Sequence, residues 1–448
     1  HRYSSAASDV YKRQVLLHQF CHGDPADGKS GFAVARGCLS AVSAIDQFIF
    51  PLVAQEGVHN VMSKEKLVEW TIQAMERGWI PEFLVRLGIR KLCNQRLKNL
   101  ENRGCERTEE YEDRLYQDSI TGPIAHVPEK ANEQHYEVPA EFYDFVLGPR
   151  RKYSSCFWDS QTEVLGEAEL KSLELTAEHA DIRDGQKVLE LGCGWGSCSL
   201  FLLQRFPSLQ VTAVSNSASQ REYIYRRADE LGVGDRINVV TKDMNDFQID
   251  EKFDRIVSIE MFEHMRNYRS LLKKCSEWLE PDGKLMVHVF CHRHFCYPFE
   301  ENGAANWMGR YFFSGGLMPS DSWLYRFQDH LKVTRQWRWS GEHYQKTAEA
   351  WLDLMKVNRD SLLPILEKIY PGHNPHVWYR RWRILFLAGA ELFGARRGQE
   401  WWVSHYLFEP QSRPEHDDTQ AEVAPRESRE TLVAVSYTHL RAHETSPD

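Results

Sequence analysis

The sequence predicts an α/β fold with a doubly wound parallel sheet, and two observations lead to that prediction. First, an apolar, strand-like run at 187–191 ends at glycines spaced Gly-x-Gly-x-Gly, and a helix-like run over 199–206 follows. Second, short β-like runs alternate with amphipathic helical runs through residues 180–292. Such alternation is typical of parallel strands joined by helices, and these sheets bind ligands at the carboxyl ends of their strands.

The glycine-rich turn at Gly192, Gly194 and Gly196 differs from the dinucleotide-binding fingerprint, which is spaced Gly-x-Gly-x-x-Gly. The next predicted strand leads into Ser215 and Asn216, where an NAD site usually carries an acidic residue for the ribose. Glycines in such a turn permit positive φ and let a ligand lie against bare backbone. The pattern therefore predicts a nucleoside-binding site of another kind.

The other elements are predicted from periodicity and punctuation. A helical period runs from about residue 64 to residue 100 and is interrupted at Pro81. Strands are predicted at 187–191, 210–214, 237–240, 255–260, 284–289 and 402–408, of which the last closes the sheet. Further helices are predicted at 347–355, 361–369 and 377–393.

Composition and element order divide the chain into four segments. Residues 1–14 resemble translated sequencing-adapter read-through, as do residues 435–448, and we expect both to be non-native. Residues 15–134 are predicted to form a helical N-terminal region, and residues 135–408 to form the ligand-binding domain. Residues 409–448, rich in Pro, Glu, Asp and Ser, are predicted to be a disordered or non-native tail.

Composition excludes several function classes. The net charge of −9 argues against general nucleic-acid binding. The ten cysteines form no Cys-x-x-Cys pairs, so neither a zinc site nor a disulfide framework is indicated, and no metal is expected. Reduced thiols fit a cytoplasmic protein. The most apolar early stretch, residues 38–54, is too interrupted by polar residues to predict a membrane span.

Seven short motifs, in order, resemble those of one known family. They are HYEVP at 135–139, KYSSCFW at 152–158, ELGCGWG at 190–196, VSNSASQ at 214–220, SIEMFEHM at 258–265, WSGEH at 339–343 and GQEWW at 398–402. On these motifs the chain, from about residue 64 to 408, resembles the coclaurine N-methyltransferase group within the cyclopropane-fatty-acyl-phospholipid synthase superfamily. The resemblance implies a class I methyltransferase fold: a Rossmann-like seven-stranded sheet with a helical N-terminal cap and a helical insertion.

The resemblance also implies S-adenosyl-L-methionine as the cofactor and assigns its contacts. The three glycines are expected to lie against its methionine and ribose portions, and Tyr153 and Ser154 to close over the sulfonium. The residues expected to bind the ribose, carboxylate and adenine are Asn216, Gln220, Asp243 and Met244. Without the resemblance, these polar residues would be interpreted as turn residues and helix caps.

The chemical centre is predicted where the fourth strand ends. Methyl transfer is an in-line displacement, and an alkyl ammonium with a pKa of ~10 needs a base to take its proton. In the family an adjacent Glu–His pair does this, which here is Glu263 and His264, while Glu260 holds the ammonium. Tyr136 and Glu137 are expected to bind substrate from a loop. Without the resemblance, Glu263 and His264 are an acid and a cap at a helix start, and Glu137 is a surface acid.

Two alternatives remain open at this point. Cyclopropane formation on lipid acyl chains needs a bound bicarbonate, and the family's pocket for it corresponds to Glu263, His288, Tyr344 and Ser155, with Ser155 standing where a Cys is usual. His288 and Tyr344 conversely depart from the plant amine methyltransferases, so the pocket is a hybrid. The second alternative is a catalytically silent cofactor-binding protein.

Amine N-methylation is favoured among the three readings, because the negative net charge does not favour lipid docking and the catalytic pair is intact. The partner predicted on this reading is a small amine, with neither nucleic acid nor metal. A membrane lipid is the partner only under the synthase alternative. Whether the chain forms a homodimer is left open by the sequence.

Overall fold

A computed structural model describes residues 64–126, 138–299, 307, 311–312 and 315–411. Contacts divide the chain into two units, residues 1–71 and 72–448, and of the first only residues 64–71 are described. The predicted substrate loop with Tyr136 and Glu137, the adapter-like segment 1–14 and nearly all of the tail lie outside the described residues.

The described strands form one seven-stranded sheet, which confirms the predicted fold class. Its order is β3-β2-β1-β4-β5-β9-β8. The strands of this sheet are β1 Lys187–Leu191, β2 Gln210–Ser215, β3 Ile237–Thr241, β4 Phe253–Ile259, β5 Leu279–His292, β8 Leu331–Trp339 and β9 Trp401–Pro410. Two short strands, β6 Tyr297–Pro298 and β7 Leu317–Met318, pair separately.

The described residues also form eleven α-helices. The N-terminal three are α1 Lys64–Glu76, α2 Glu82–Glu101 and α3 Cys105–Asp118, and Pro81 precedes α2 as predicted. Those that alternate with the parallel strands or precede them are α4 Ala140–Val146, α5 Leu165–His179, α6 Ser197–Arg205, α7 Ala218–Glu230 and α8 Tyr268–Trp278. The three inserted between β8 and β9 are α9 Gly341–Val357, α10 Arg359–Ile369 and α11 Pro375–Phe393.

The order of the strands positions the site. β1 lies between β2 and β4 and is parallel to both, and the chain winds outward from it in both directions. The crevice of a doubly wound sheet opens at the carboxyl ends of the two strands where this reversal occurs. The glycine turn follows β1 and the Glu260–His264 segment follows β4, so both lie at that crevice.

One strand of the sheet was missed from the sequence. β8 carries Lys332, Arg335 and Arg338 among its apolar residues and has no run that a strand pattern would select. It is an edge strand whose only described ladder is the antiparallel one with β9, about 70 residues later in the chain. Edge strands tolerate charged side chains because one face and one edge meet water. Its pairing is therefore set by tertiary contacts.

Ion pairs connect helix α2, near the N-terminal end of the described residues, to the helices inserted between β8 and β9. Arg86 bonds to Glu349 of α9 at 2.6 Å and to Glu391 of α11 at 3.0 Å, and Arg90 also pairs with Glu391. The Glu391 side chain is only 5% exposed, so its two arginines compensate a buried charge. Within the described residues, no helix is both long and apolar enough to cross a membrane.

We predict that Gly341→Ala destabilises the fold. Gly341 begins α9, and a Cβ there would lie 2.2 Å from both the Phe393 and the Trp401 carbonyl oxygens, which are backbone atoms that cannot rotate away. Overpacking of this kind costs about 1–3 kcal/mol. The free energy of unfolding, measured in urea, is expected to fall by at least that amount.

Gly88→Ala is the matched control for this substitution. Gly88 is exposed on α2, and a Cβ there meets nothing within 4 Å, so the better helix propensity of Ala should raise the free energy of unfolding by up to ~1 kcal/mol. Equal free energies for the two variants would contradict the packing described around Gly341.

Candidate active site

A cavity opens at the carboxyl ends of β1 and β4 and gathers most of the side chains that the sequence singled out. Its walls come from the turn after β1, the ends of β2 and β4, the loop before α5, and helices α9 and α11. The predicted residues that line it are Tyr153, Ser154, Gly192, Gly194, Asn216, Gln220, Asp243, Met244, Glu260, Glu263, His264 and Tyr344. Gly196 and His288 do not line it.

The three glycines of the turn have different surroundings. All three have positive φ, which is +78° at Gly192, +50° at Gly194 and +76° at Gly196. A Cβ at Gly194 would meet nothing within 4 Å, so this residue faces the open cavity. A Cβ at Gly196 would lie 2.8 Å from Ile224, and Gly196 is the N-cap of α6. Gly194 therefore leaves space for a ligand, whereas Gly196 allows α6 to begin close to α7.

Hydrogen bonds fix the polar residues at the ends of β2 and β3. The Gln220 side-chain carbonyl accepts from the Ser215 hydroxyl at 2.6 Å, and Ser217 caps α7. Asp243 accepts from the Asn245 backbone amide at 2.8 Å. The Asn245 side chain bonds to the backbone of Ala125 in both directions, at 3.0 Å each. Asn245 thereby holds a cavity-lining loop, a role that its sequence context does not indicate.

Glu260 occupies a strained backbone position directly after β4. Its φ is +46°, a value that costs a non-glycine residue about 1 kcal/mol or more. Its carboxylate accepts from the Ser155 backbone amide at 2.8 Å and from the Tyr344 hydroxyl at 2.7 Å, and it lies 3.2 Å from His288 Nε2. Three separate elements therefore hold this side chain, and the strain is the cost of placing it among them.

The loop that provides the Ser155 amide is itself held by buried charges. Glu169 of α5 accepts from the Arg150 amide at 2.8 Å and from the Lys152 amide at 3.2 Å. The Lys152 ammonium, 2% exposed, donates to the Ser154 hydroxyl and the Ser155 carbonyl at 2.6 Å each. Lys152 and Glu169 were missed as site residues, because nothing in their spacing distinguishes them from surface charges.

Glu263, unlike Glu260, is buried without hydrogen-bond donors from the described residues. Its side chain is 1% exposed, and neither of its carboxyl oxygens has a hydrogen-bond partner among the described residues. Burial and the nearby Glu260 raise the pKa of Glu263 well above its usual value. His264, the next residue, is half-buried and lines the same cavity. A buried carboxyl without such a partner at the wall of a cavity has the chemistry to accept a hydrogen bond or an ion pair from a ligand that brings a donor or a positive charge.

Behind Glu260, three histidines form a continuous chain. His288 Nδ1 lies 2.8 Å from His405 Nε2, and His405 Nδ1 lies 2.8 Å from His179 Nδ1. Burial lowers the pKa of all three, to about 4 for His179, so they are neutral near pH 7. The sequence singled out His288, whereas His179 and His405 are distant from it in the chain and lie in no shared motif.

The sequence is similar to known methyltransferases over most of its length. The family described as mycolic acid cyclopropane synthetase matches residues 126–397. (S)-Coclaurine N-methyltransferase of Thalictrum flavum subsp. glaucum is 34% identical over 366 residues, which are 80% of this chain and 99% of that enzyme. The (S)-coclaurine N-methyltransferase of Papaver somniferum is 36% identical over 352 residues, which are 77% of this chain and 98% of that enzyme.

The fold shows the same likeness. A crystal structure of coclaurine N-methyltransferase bound to N-methylheliamine and SAH matches with a TM-score of 0.74 at 34% identity, covering 77% of this chain and 99% of that one. Because the match extends over nearly the whole of that enzyme, it is not limited to a shared glycine turn. The resemblance predicted from the motifs and the class I methyltransferase fold are both confirmed.

We predict that Glu263→Gln stabilises the ligand-free protein at alkaline pH. Because the folded state raises the pKa of Glu263, the wild type loses stability as pH rises above about 4.5, the usual value for a glutamate. Gln carries no charge to bury, so it removes this loss, which is about 1–3 kcal/mol for an unsatisfied buried group. Unfolding in urea at pH 5 and pH 8 should show a larger gain at pH 8.

Glu260→Gln is the control, with the opposite expectation. Its carboxylate already accepts from two protein donors, and an amide NH₂ would face one of them. The variant should therefore be less stable than the wild type. A loss of stability in Glu263→Gln at pH 8 would mean that Glu263 has a protein partner in solution.

Proposed function

The chain belongs to the mycolic acid cyclopropane synthetase family, in its coclaurine N-methyltransferase-like group, and we propose that it methylates the nitrogen of a small amine. It is an S-adenosyl-L-methionine-dependent methyltransferase. The observation that carries the choice of an amine is the pair of buried carboxyls at the cavity wall: Glu260 accepts the hydrogen bonds of the Ser155 amide and the Tyr344 hydroxyl, and Glu263 has no partner among the described residues.

The cavity fits S-adenosylmethionine on its own features. Gly194 leaves open space where any other residue would place a Cβ. The Ser197 hydroxyl, at the start of α6 on the cavity wall, is buried and has no hydrogen-bond partner among the described residues. We assign cofactor binding to this turn, to Tyr153 and Ser154, and to the polar residues Asn216, Gln220 and Asp243 with Met244. When bound, the cofactor supplies a methyl group on a sulfonium that is a good leaving group.

Glu263 is proposed to receive the proton that the acceptor loses. In water, an ammonium with a pKa of ~10 does not give its proton to a carboxylate whose pKa is ~4. In the cavity both values move toward each other, because burial disfavours each charged form, and the pKa of Glu263 is raised. The transfer leaves a neutral amine with a free lone pair. His264, which shares the cavity wall, is proposed as the second member of the base pair.

Glu260 is assigned a different role from the one expected. The sequence assigned it to the ammonium, but its carboxylate is already bonded within the protein. It therefore contributes a fixed negative charge that favours a cationic acceptor and raises the pKa of Glu263. It also bears on the synthase alternative, because Ser155, His288 and Tyr344 are three of the four residues expected to hold bicarbonate. Their contacts go to Glu260, which supports the amine reading over lipid cyclopropanation.

The amine is proposed to be of the kind that relatives bind. The matching crystal structure holds N-methylheliamine, so heliamine and (S)-coclaurine are the first acceptors to test. Tyr136 and Glu137 remain predicted contacts to that acceptor. We further propose a cytoplasmic location, since all eight cysteines within the described residues are unpaired thiols.

We predict that the full chain transfers label from S-adenosylmethionine with a labelled methyl group to heliamine or (S)-coclaurine. Vesicles of unsaturated phospholipid, offered in parallel, should stay unlabelled. Glu263→Gln should lower kcat by about 10²–10⁴-fold, the usual contribution of a positioned base, with little change in the KM for S-adenosylmethionine.

Glu174→Gln makes the same chemical change at an exposed position of α5 and should leave the rate unchanged. Label in acyl chains would overturn the amine proposal and favour the synthase. Cofactor binding without transfer to either acceptor would favour the silent protein. An unchanged kcat in Glu263→Gln would exclude this residue as the base.

A further inference from the structure

The three-histidine chain runs across one face of the sheet, from His288 beside the active site toward the edge strand β8. His288 of β5 lies directly opposite His405 of β9, and His405 lies opposite Trp337 of β8. The His179 ring, on α5, stacks on Trp337 with ring centroids 4.0 Å apart. His288 and His405 have no exposed surface, and His179 is 7% exposed. The register of two antiparallel pairs thus aligns His288, His405 and Trp337, and the stacking of His179 on Trp337 brings the third histidine into line.

The protons on these rings can be assigned by exclusion. A neutral imidazole has one N–H, so of any two facing ring nitrogens one donates and the other accepts. The Glu260 carboxylate, when ionised, can only accept, so His288 Nε2 must carry the proton. His288 Nδ1 then accepts from His405 Nε2, and His405 Nδ1 accepts from His179 Nδ1. One ionised carboxylate therefore fixes the tautomer of all three rings.

The converse also holds, since the tautomer of His288 determines whether Glu260 has a third donor. The titratable or charged groups that act on this assembly are Lys152 from the loop before α5, Glu263 and His264 after β4, Tyr344 on α9, and Arg335 on β8. Burial raises the pKa of Glu260, and the Lys152 ammonium opposes that rise. A hydrogen bond from His288 Nε2–H adds to the interactions that favour the ionised form of Glu260.

We infer that His405 and His179 are positioning residues that hold His288 in the tautomer whose Nε2–H donates to Glu260, and so keep Glu260 ionised. The inference rests on the proposed function, because Glu260 acts there as the fixed charge beside the base Glu263. Loss of the His405 donor would free His288 to carry its proton on Nδ1. Glu260 would then lose a charge-assisted hydrogen bond and take up a proton more readily.

The test uses two amide side chains at position 405, each of which keeps only one of the two hydrogen bonds that the His405 ring makes. In His405→Gln the side-chain NH₂ takes the place of Nε2 and still donates to His288. In His405→Asn the shorter amide reaches only toward His179 and leaves His288 without a donor. Both variants replace a buried ring by an amide, so a loss of packing affects them alike.

The measurement is kcat against pH for methylation of heliamine or (S)-coclaurine, the two proposed acceptors. The fall of kcat at low pH reports the protonation of Glu260 and Glu263, which titrate as a coupled pair. In His405→Asn it should move to higher pH by about one unit, with the alkaline plateau preserved. His405→Gln should keep the wild-type profile. His292 is a second fully buried histidine of β5, but it is not part of the three-histidine chain. His292→Asn should therefore leave the profile unchanged.

The same dependence of kcat on pH in His405→Asn and His405→Gln would overturn the inference. The protonation of Glu260 can also be followed without turnover, as the carboxylic-acid infrared band that Glu260→Gln removes. Its midpoint pH should be higher in His405→Asn than in His405→Gln, and equal midpoints would again overturn the inference. Wild-type protein that methylates no amine would refute the proposed function instead, and the infrared midpoints would still decide the role of His405.

Discussion

The hydrogen-bonded carboxylate of Glu260 is the interaction on which the site depends. It joins the end of β4, the loop before α5, helix α9 and strand β5, through Ser155, Tyr344 and His288. Its positive φ shows that the backbone is distorted to bring the carboxylate there. Without it, three buried donors would lose their acceptor, and the negative charge that raises the pKa of Glu263 would be absent.

This arrangement explains why the pocket looked like a hybrid in the sequence. His288 and Tyr344 are residue types expected of a bicarbonate pocket, and here they contact a carboxylate that the chain itself provides. A carboxylate and a bicarbonate present similar pairs of oxygens, so the same donors suit either. A single glutamate at the end of β4 thus changes what the donors are available to bind, although each donor is unchanged. Residue types alone could not distinguish these two uses.

The sequence predicted the parts of the molecule that depend on local pattern. The glycine turn, the helical lead-in interrupted at Pro81 and six of the seven strands follow from periodicity and backbone conformation. β8 could not be predicted, because its pairing with β9 comes from tertiary contacts. Residues such as Glu169 and His405 act through partners far away in the sequence. The hydrogen bond from the Ser155 amide to Glu260 was equally inaccessible, since a backbone amide has no sequence signature.

The two carboxyls after β4, those of Glu260 and Glu263, are electrostatically coupled. They lie three residues apart, and the described residues donate hydrogen bonds to the Glu260 carboxylate and none to that of Glu263. Two neighbouring carboxyls that interact strongly separate their pKa values, and the one with donors remains ionised. The other is left with a raised pKa and with no group of the described protein to bond, which suits a proton acceptor for a buried ammonium. Under the proposed function, the stability that the protein loses at Glu263 is thus the physical source of its reactivity.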